Sequence, residues 1–142
     1  MIHSPSPISD FHLPLILFHA SVPAGFPSPA ADHVEQQVDL NEHLMLNRDA
    51  SFLFRVRGSS MVGVGIYPGD TVIVDRSITP RHNHIVLAVI DGEYTIKRLY
   101  SRDGSVKLIA ENQSYPAIEF REEQTLTIWG VVTTNLRRLI DG

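Results

Sequence analysis

Ile85-Val86-Leu87-Ala88-Val89-Ile90, then Asp91-Gly92, then Glu93-Tyr94-Thr95-Ile96-Lys97-Arg98-Leu99 is the stretch that decides the fold. Two short runs rich in β-branched and aromatic residues flank a two-residue turn signal. Such a turn needs positive φ at both central residues, which glycine adopts freely and aspartate tolerates. The stretch therefore predicts an antiparallel hairpin whose second strand carries Lys97. Similar runs lie on both sides. Phe52, Phe54 and Val56 alternate with Leu53, Arg55 and Arg57, and Val72-Ile73-Val74, Val106-Lys107-Leu108-Ile109 and Leu126-Thr127-Ile128-Trp129 follow. Turn signals separate them at Pro68-Gly69-Asp70, Asp103-Gly104 and Asn112 to Pro116. This spacing predicts a mainly β fold of short, mostly antiparallel strands in a sandwich or partly open barrel.

The chain has 142 residues, which suits one domain with an appended segment. An apolar fraction of 43% and a charged fraction of 20% describe a globular protein. Twelve basic against sixteen acidic residues give a formal charge of −4, which argues against direct, sequence-specific nucleic-acid binding. The pairs Lys97-Arg98 and Arg137-Arg138 read as solvated faces. There is no cysteine, so disulfides and thiolate chemistry are excluded, in keeping with the cytoplasm. The apolar run Leu15 to Phe18 is far shorter than the ~20 residues of a membrane span.

Residues 1–30 hold six of the nine prolines, at Pro5, Pro7, Pro14, Pro23, Pro27 and Pro29. Proline fixes φ and removes a backbone donor, so these residues are expected to form an extended arm without a helix or central strand. Its apolar side chains (Phe11, Leu13, Leu15, Ile16, Leu17) are expected to lie on the domain formed by 31–142. Ala31, Val34 and Val38 share one helical face, predicting a short helix between Ala30 and Leu46. Val22-Pro23-Ala24 has the small-residue character of a signal-peptidase site. No Lys or Arg precedes Arg48, however, and Asp10 and Pro14 interrupt the apolar segment, which disfavours a secretory leader.

Three features carry possible chemistry. Ser60 lies in Gly58-Ser59-Ser60-Met61, directly after an alternating segment. A serine hydroxyl becomes a nucleophile only when a base takes its proton, and lysine serves as that base when desolvation leaves its amine neutral. Lys97 alternates with Thr95 and Leu99 on one strand face, where burial is possible. On the residues alone, an ordinary turn serine and an exposed strand lysine are the favoured readings. Of seven histidines (His3, His12, His19, His33, His43, His82, His84), His82-Asn83-His84 reads as a surface turn rather than a metal pair or a base. Ala24-Gly25, in Ser21-Val22-Pro23-Ala24-Gly25-Phe26-Pro27, is a small-residue peptide bond in the arm.

Gly58 to Met61, Gly65-Ile66-Tyr67-Pro68-Gly69-Asp70-Thr71-Val72-Ile73-Val74-Asp75 and Gly92 to Leu99 together resemble the self-cleaving serine peptidases of the LexA/UmuD family. Phe26-Pro27-Ser28-Pro29-Ala30-Ala31-Asp32, Val34-Glu35-Gln36 and Asp39-Leu40-Asn41 resemble its UmuD-type, SOS-mutagenesis members. No recognition helix precedes the domain in this sequence, which sets it apart from the repressors. The resemblance implies Ser60 as nucleophile, Lys97 as general base and Ala24-Gly25 as the bond cut, with the Ser59 and Ser60 N–H groups as oxyanion donors. No cofactor and no metal are expected, since the residues show no glycine-rich phosphate loop and no zinc-ligand spacing. The resemblance further implies a homodimer, cleavage stimulated by a RecA filament on single-stranded DNA, and a UmuC-like translesion polymerase as partner of the shortened product. Two positions depart from the family pattern: Ser59 stands where Asp is common, and His82-Asn83-His84 replaces a Gly-Asp turn. The rival reading is a β module that docks on a polymerase or filament without cutting.

Overall fold

In a computed structural model, the chain is described over residues 14–18, 22–27, 35–44, 47–119 and 126–141. The elements in order are β1 (Pro14–Phe18), β2 (Glu35–Asp39), α1 (Leu40–Leu44), β3 (Ser51–Arg55), β4 (Thr71–Asp75), β5 (Ile85–Ile90), β6 (Glu93–Arg102), β7 (Ser105–Ile109), β8 (Ile118–Glu119) and β9 (Leu126–Leu136). Strands β3 to β8, with β9, form one open sheet in the order β3-β4-β9-β5-β6-β7-β8, and β1 pairs with β2 in a separate ribbon. Every pairing is antiparallel. The mainly β, partly open architecture expected from the spacing is therefore present. Among the described residues, no helix is long and apolar enough to cross a membrane.

Both hairpin turns form as their sequences require. Asp91 and Gly92 have φ of 48° and 83°, and Asp103 and Gly104 have 53° and 73°. Positive φ at both central residues gives the turn whose twist matches the flanking strands. Strand β5 is buried on both faces. Ile85 and Leu87 pack with Val56, Met61, Ile66, Val72 and Val74 on one side, while Val86, Ala88 and Ile90 pack with Leu99, Leu108 and Val131 on the other. Its unbroken apolar run follows from that double burial.

Strand β9 runs seven residues past its expected end, and its register shifts twice. Leu87 faces Gly130 while Ala88 faces Ile128, leaving Trp129 as an extra residue. Ile73 faces Thr134 while Val74 faces Val132, leaving Thr133 as another. Bulges of this kind bend and twist a strand and re-aim side chains. Here the first one sets Trp129 against Phe52 and Phe54, with ring centroids 5.2 Å away in both edge-on contacts.

Three expectations change. The helix between Ala30 and Leu46 shrinks to Leu40–Leu44, and Val38 lies in β2, because pairing with β1 outweighs a weak helical spacing. Ala31 and Val34 lie outside the described residues. The arm contributes a strand, with Pro14 at its first position, where a missing donor does least harm. Leu15 and Ile16 are exposed rather than laid on the domain, and Phe11 and Leu13 lie outside the described residues.

The basic pairs are not simply solvated. Arg137 donates to Asp70 through Nε (2.9 Å) and Nη2 (2.7 Å), and stacks 4.0 Å over the Tyr67 ring. Asn135 Nδ2 and the Tyr67 N–H also donate to Asp70, at 2.9 and 2.8 Å. The guanidinium hydrogen bonds hold the buried Asp70 carboxyl well below the usual carboxylate range.

Two outcomes are expected. A Cβ on Gly130 would sit 2.6 Å from Val74 Cγ1, and Val74 is fully buried. Gly130→Ala should therefore destabilise by about 1–3 kcal/mol in denaturant titrations. Asp70 has a depressed folded pKa, so its contribution is complete above about pH 4 and lost as pH falls through the folded value. Asp70→Asn should flatten the acid side of the stability–pH curve, measured by denaturation at successive pH values.

Candidate active site

Lys97 stands in β6 opposite Val86, and Thr95 stands opposite Ala88. Antiparallel partners project to the same face, so the lysine stem lies beside two fully buried apolar side chains. Lys97 itself is 8% exposed. Its Nζ donates to Ser60 Oγ at 2.9 Å, Thr95 Oγ1 at 2.7 Å and the Ile96 carbonyl at 3.0 Å. None of these partners is charged. Burial consequently pushes the lysine pKa below its ordinary value of 10.5. A neutral amine has two N–H donors and one lone pair. It would donate to Thr95 and Ile96 and accept the Ser60 O–H, which is the orientation a general base requires.

Ser60 is fixed by what surrounds its turn. After β3, Val56 exchanges backbone bonds with Asp70 (2.8 Å) and Gly69 (2.9 Å), which extends the pairing to the edge of the turn. Gly58 then takes φ of 85°, a left-handed conformation that reverses the chain. Met61, 2% exposed, anchors the far side in the core, and a 3₁₀ turn over Val62–Val64 follows. Among the described residues, neither the Ser59 nor the Ser60 N–H donates to a backbone oxygen. The Ser59 hydroxyl lies 3.2 Å from Tyr115 Oη, a contact that occupies the position where the family pattern has Asp.

Ser60 and Lys97 open onto a cleft of about 700 Å³ whose apolar walls include Phe54, Val56, Leu87, Tyr94 and Ile96. The structure thus brings together two of the expected groups. It does not bring the third. Residues 22–27 are exposed throughout, and nothing lies within 4 Å of a Cβ built on Gly25. The histidine turn proves to be a backbone device. Asn83 has φ of 72°, the Ser101 N–H donates to His82 Nδ1 and the Arg81 N–H to His84 Nδ1, both at 3.1 Å. Alternation along β6 puts Thr95 on the face of Lys97, but the residue pattern alone does not assign its hydroxyl to the amine. Sequence reasoning treated Asn112 to Pro116 as a connecting turn. Asn112 Nδ2 in fact donates to the Ser59 carbonyl at 2.9 Å, a contact across 53 residues that no local pattern announces.

Comparison with known proteins places this geometry in a family. The model of Peptidase S24-like proteins matches residues 14–133. The chain is 41% identical over 122 residues to protein SamA of Salmonella typhimurium, covering 86% of this chain and 84% of SamA. It is 40% identical over 116 residues to protein MucA of Escherichia coli, covering 81% and 79% respectively. It is also 38% identical over 129 residues to the LexA repressor of Shewanella loihica, covering 90% of this chain and 61% of that repressor. With a family match across most of its length and relatives of this similarity, the chain belongs to the Peptidase S24-like family.

Proposed function

We propose that this chain is a self-processing serine peptidase that cuts its own Ala24-Gly25 bond. Residues 1–30 act as the arm that presents the bond, and 31–142 act as the peptidase domain. The observation that carries this reading is the 2.9 Å contact between a buried lysine amine and a serine hydroxyl at the mouth of an apolar cleft. Neutral Lys97 takes the Ser60 proton as Oγ attacks the Ala24 carbonyl carbon. The carbonyl oxygen gains charge and turns toward the Ser59 and Ser60 N–H groups. Thr95 Oγ1 and the Ile96 carbonyl hold the ammonium so formed. That ammonium returns its proton to the Gly25 nitrogen as the peptide bond breaks, and water then releases Ala24 from Ser60.

The family resemblance supports the wider role. The shortened chain, as a homodimer, serves as an accessory subunit of a UmuC-like, Y-family translesion polymerase in the SOS response, with cleavage stimulated by a RecA filament on single-stranded DNA. The cytoplasm is the compartment this role requires.

Purified protein incubated alone at alkaline pH is expected to yield a fragment beginning at Gly25, identified by mass. Ser60→Ala and Lys97→Ala should both abolish it without changing the melting temperature by more than a few degrees. An intact chain at every pH would leave the non-cutting docking module as the better reading. The base works only when neutral. The wild-type rate should therefore rise about tenfold per pH unit at first, then level off below the ordinary lysine pKa of 10.5 because burial favours the neutral amine. A profile that is flat from neutral pH upward would remove Lys97 from this role.

Gly25 has open space around its Cα, so Gly25→Trp should leave the resting fold unchanged and yet block cutting. The attacking oxygen must approach the Ala24 carbonyl to within ~3–3.5 Å, which a bulky neighbour prevents. Mixing a Ser60→Ala chain with a Gly25→Trp chain then reports whether subunits cut one another. Appearance of the fragment from the Ser60→Ala chain means that they do, and its absence under free subunit exchange confines the reaction to one chain.

A further inference from the structure

The turn that bears Ser60 and the strand that bears Lys97 are far apart in sequence and share no ladder. Core packing of Met61 against Leu87 sets their approximate separation, and a second link is made by polar contacts. The loop from Glu111 to Tyr115 supplies the connection. Asn112 Nδ2 donates to the Ser59 carbonyl at 2.9 Å, and the Gly63 N–H donates to the Glu111 carbonyl at 2.7 Å. These two bonds grip the Ser60 turn on either side of the serine. The grip is close: a Cβ on Gly63 would fall 2.4 Å from the Glu111 carbonyl oxygen.

The loop is itself oriented. The Ser114 N–H donates to Asn112 Oδ1 at 3.0 Å, which leaves the amide nitrogen as the end that faces Ser59. The Tyr115 N–H closes the same turn onto the Asn112 carbonyl at 3.0 Å. The Glu111 carboxylate then ties the loop to β6, because it accepts from Nε of Arg98, the residue next to Lys97. Arg98 Nη1 donates in addition to the Asn83 carbonyl at 2.6 Å, which fixes the guanidinium at both ends. Two polar contacts, joined through the chain neighbours Glu111-Asn112 and Lys97-Arg98, thus link Ser59 to the strand that bears Lys97.

We propose that Asn112, Glu111 and Arg98 are positioning residues that set the distance between Ser60 Oγ and Lys97 Nζ. The inference rests on the self-cleavage reading above, for which Ser60 and Lys97 do the chemistry. None of the three touches the scissile bond or the Lys97 amine. Their effect is on how often the hydroxyl sits within reach of the base, and misplacement of about 1 Å can cost ~10²-fold in rate.

The test uses the full-length chain and follows Ala24-Gly25 cleavage against pH, with melting temperature measured for each variant. Asn112→Ala should lower the plateau rate by about 10- to 100-fold. Asn112→Asp should do no better, since a carboxylate cannot donate to the Ser59 carbonyl. Glu111→Ala should show a similar loss, and Glu111→Gln should recover most of it by keeping an acceptor for Arg98. The midpoint of the pH profile should stay near the wild-type value in all of them, because the burial that depresses the lysine and its contacts with Thr95 and the Ile96 carbonyl are untouched. Wild-type rates in Asn112→Ala and Glu111→Ala would overturn the proposal. So would losses that track melting temperature and are as large in Glu111→Gln as in Glu111→Ala, which is what simple support of the fold would give. Failure of the self-cleavage reading is separate and visible first, as a wild-type chain that stays intact at every pH.

Discussion

A lysine buried without a counter-charge is the constraint on which the rest of the structure depends. Desolvation penalises the ammonium, and among the described residues no carboxylate hydrogen-bonds to it. Such a side chain is tolerated only where the surrounding sheet is fixed by other forces. The double-sided packing of β5 supplies them, with Val86 and Ala88 on the lysine's face and Leu87 on the opposite one. Hydrogen bonds to Thr95 and Ile96 satisfy the amine without charging it. The same burial that disfavours the charged form makes the lysine neutral, and so able to accept a proton, at lower pH than an exposed lysine.

The walls of the cleft depend on a second buried group. Asp70 gathers Arg137, Asn135 and the Tyr67 N–H, while Asn135 and Arg137 also donate to the Gly65 carbonyl at 3.1 and 2.8 Å. The end of β9 thereby pins the segment from Gly65 to Asp70, and Pro68 and Gly69 from that segment line the cleft. The bulges make this reach possible. A regular strand of eleven residues would hold one register throughout, whereas two extra residues let β9 follow β5 at one end and β4 at the other.

The sheet was legible in the sequence because its signals are local. Period-two alternation and the Asp-Gly turns are read within a few residues, and both turns took the φ values their residues favour. The extent of β9 was not legible, since Gly130 and the polar Thr133, Thr134 and Asn135 weaken the strand pattern that the bulges accommodate. The β2 strand was misread as helix because its partner, Pro14–Phe18, lies across a proline-rich stretch. In the candidate site, Ser60 and Lys97 were legible as residue types and by family resemblance. Their 2.9 Å approach and the Asn112 contact were not, because both are long-range consequences of topology.

The position of Ala24-Gly25 separates chemistry from access. Ser60 and Lys97 are already in hydrogen-bonding contact, while residues 22–27 stand in solvent outside the cleft. The β1–β2 ribbon joins the two ends of the segment that carries the bond, so that segment is tethered at both sides and its local concentration near a cleft is set by the tether. On the self-cleavage reading, the observed rate is the intrinsic rate of the docked form multiplied by the fraction of arms docked. On that reading, a preformed serine–lysine pair with an undocked arm is a reaction held back by occupancy rather than by chemistry. Anything that favours the docked arm accelerates cutting by at most its differential affinity for that form, without touching Ser60 or Lys97. Substitutions in the arm and substitutions in the pair therefore act on different factors of the same product, and their effects on rate should multiply.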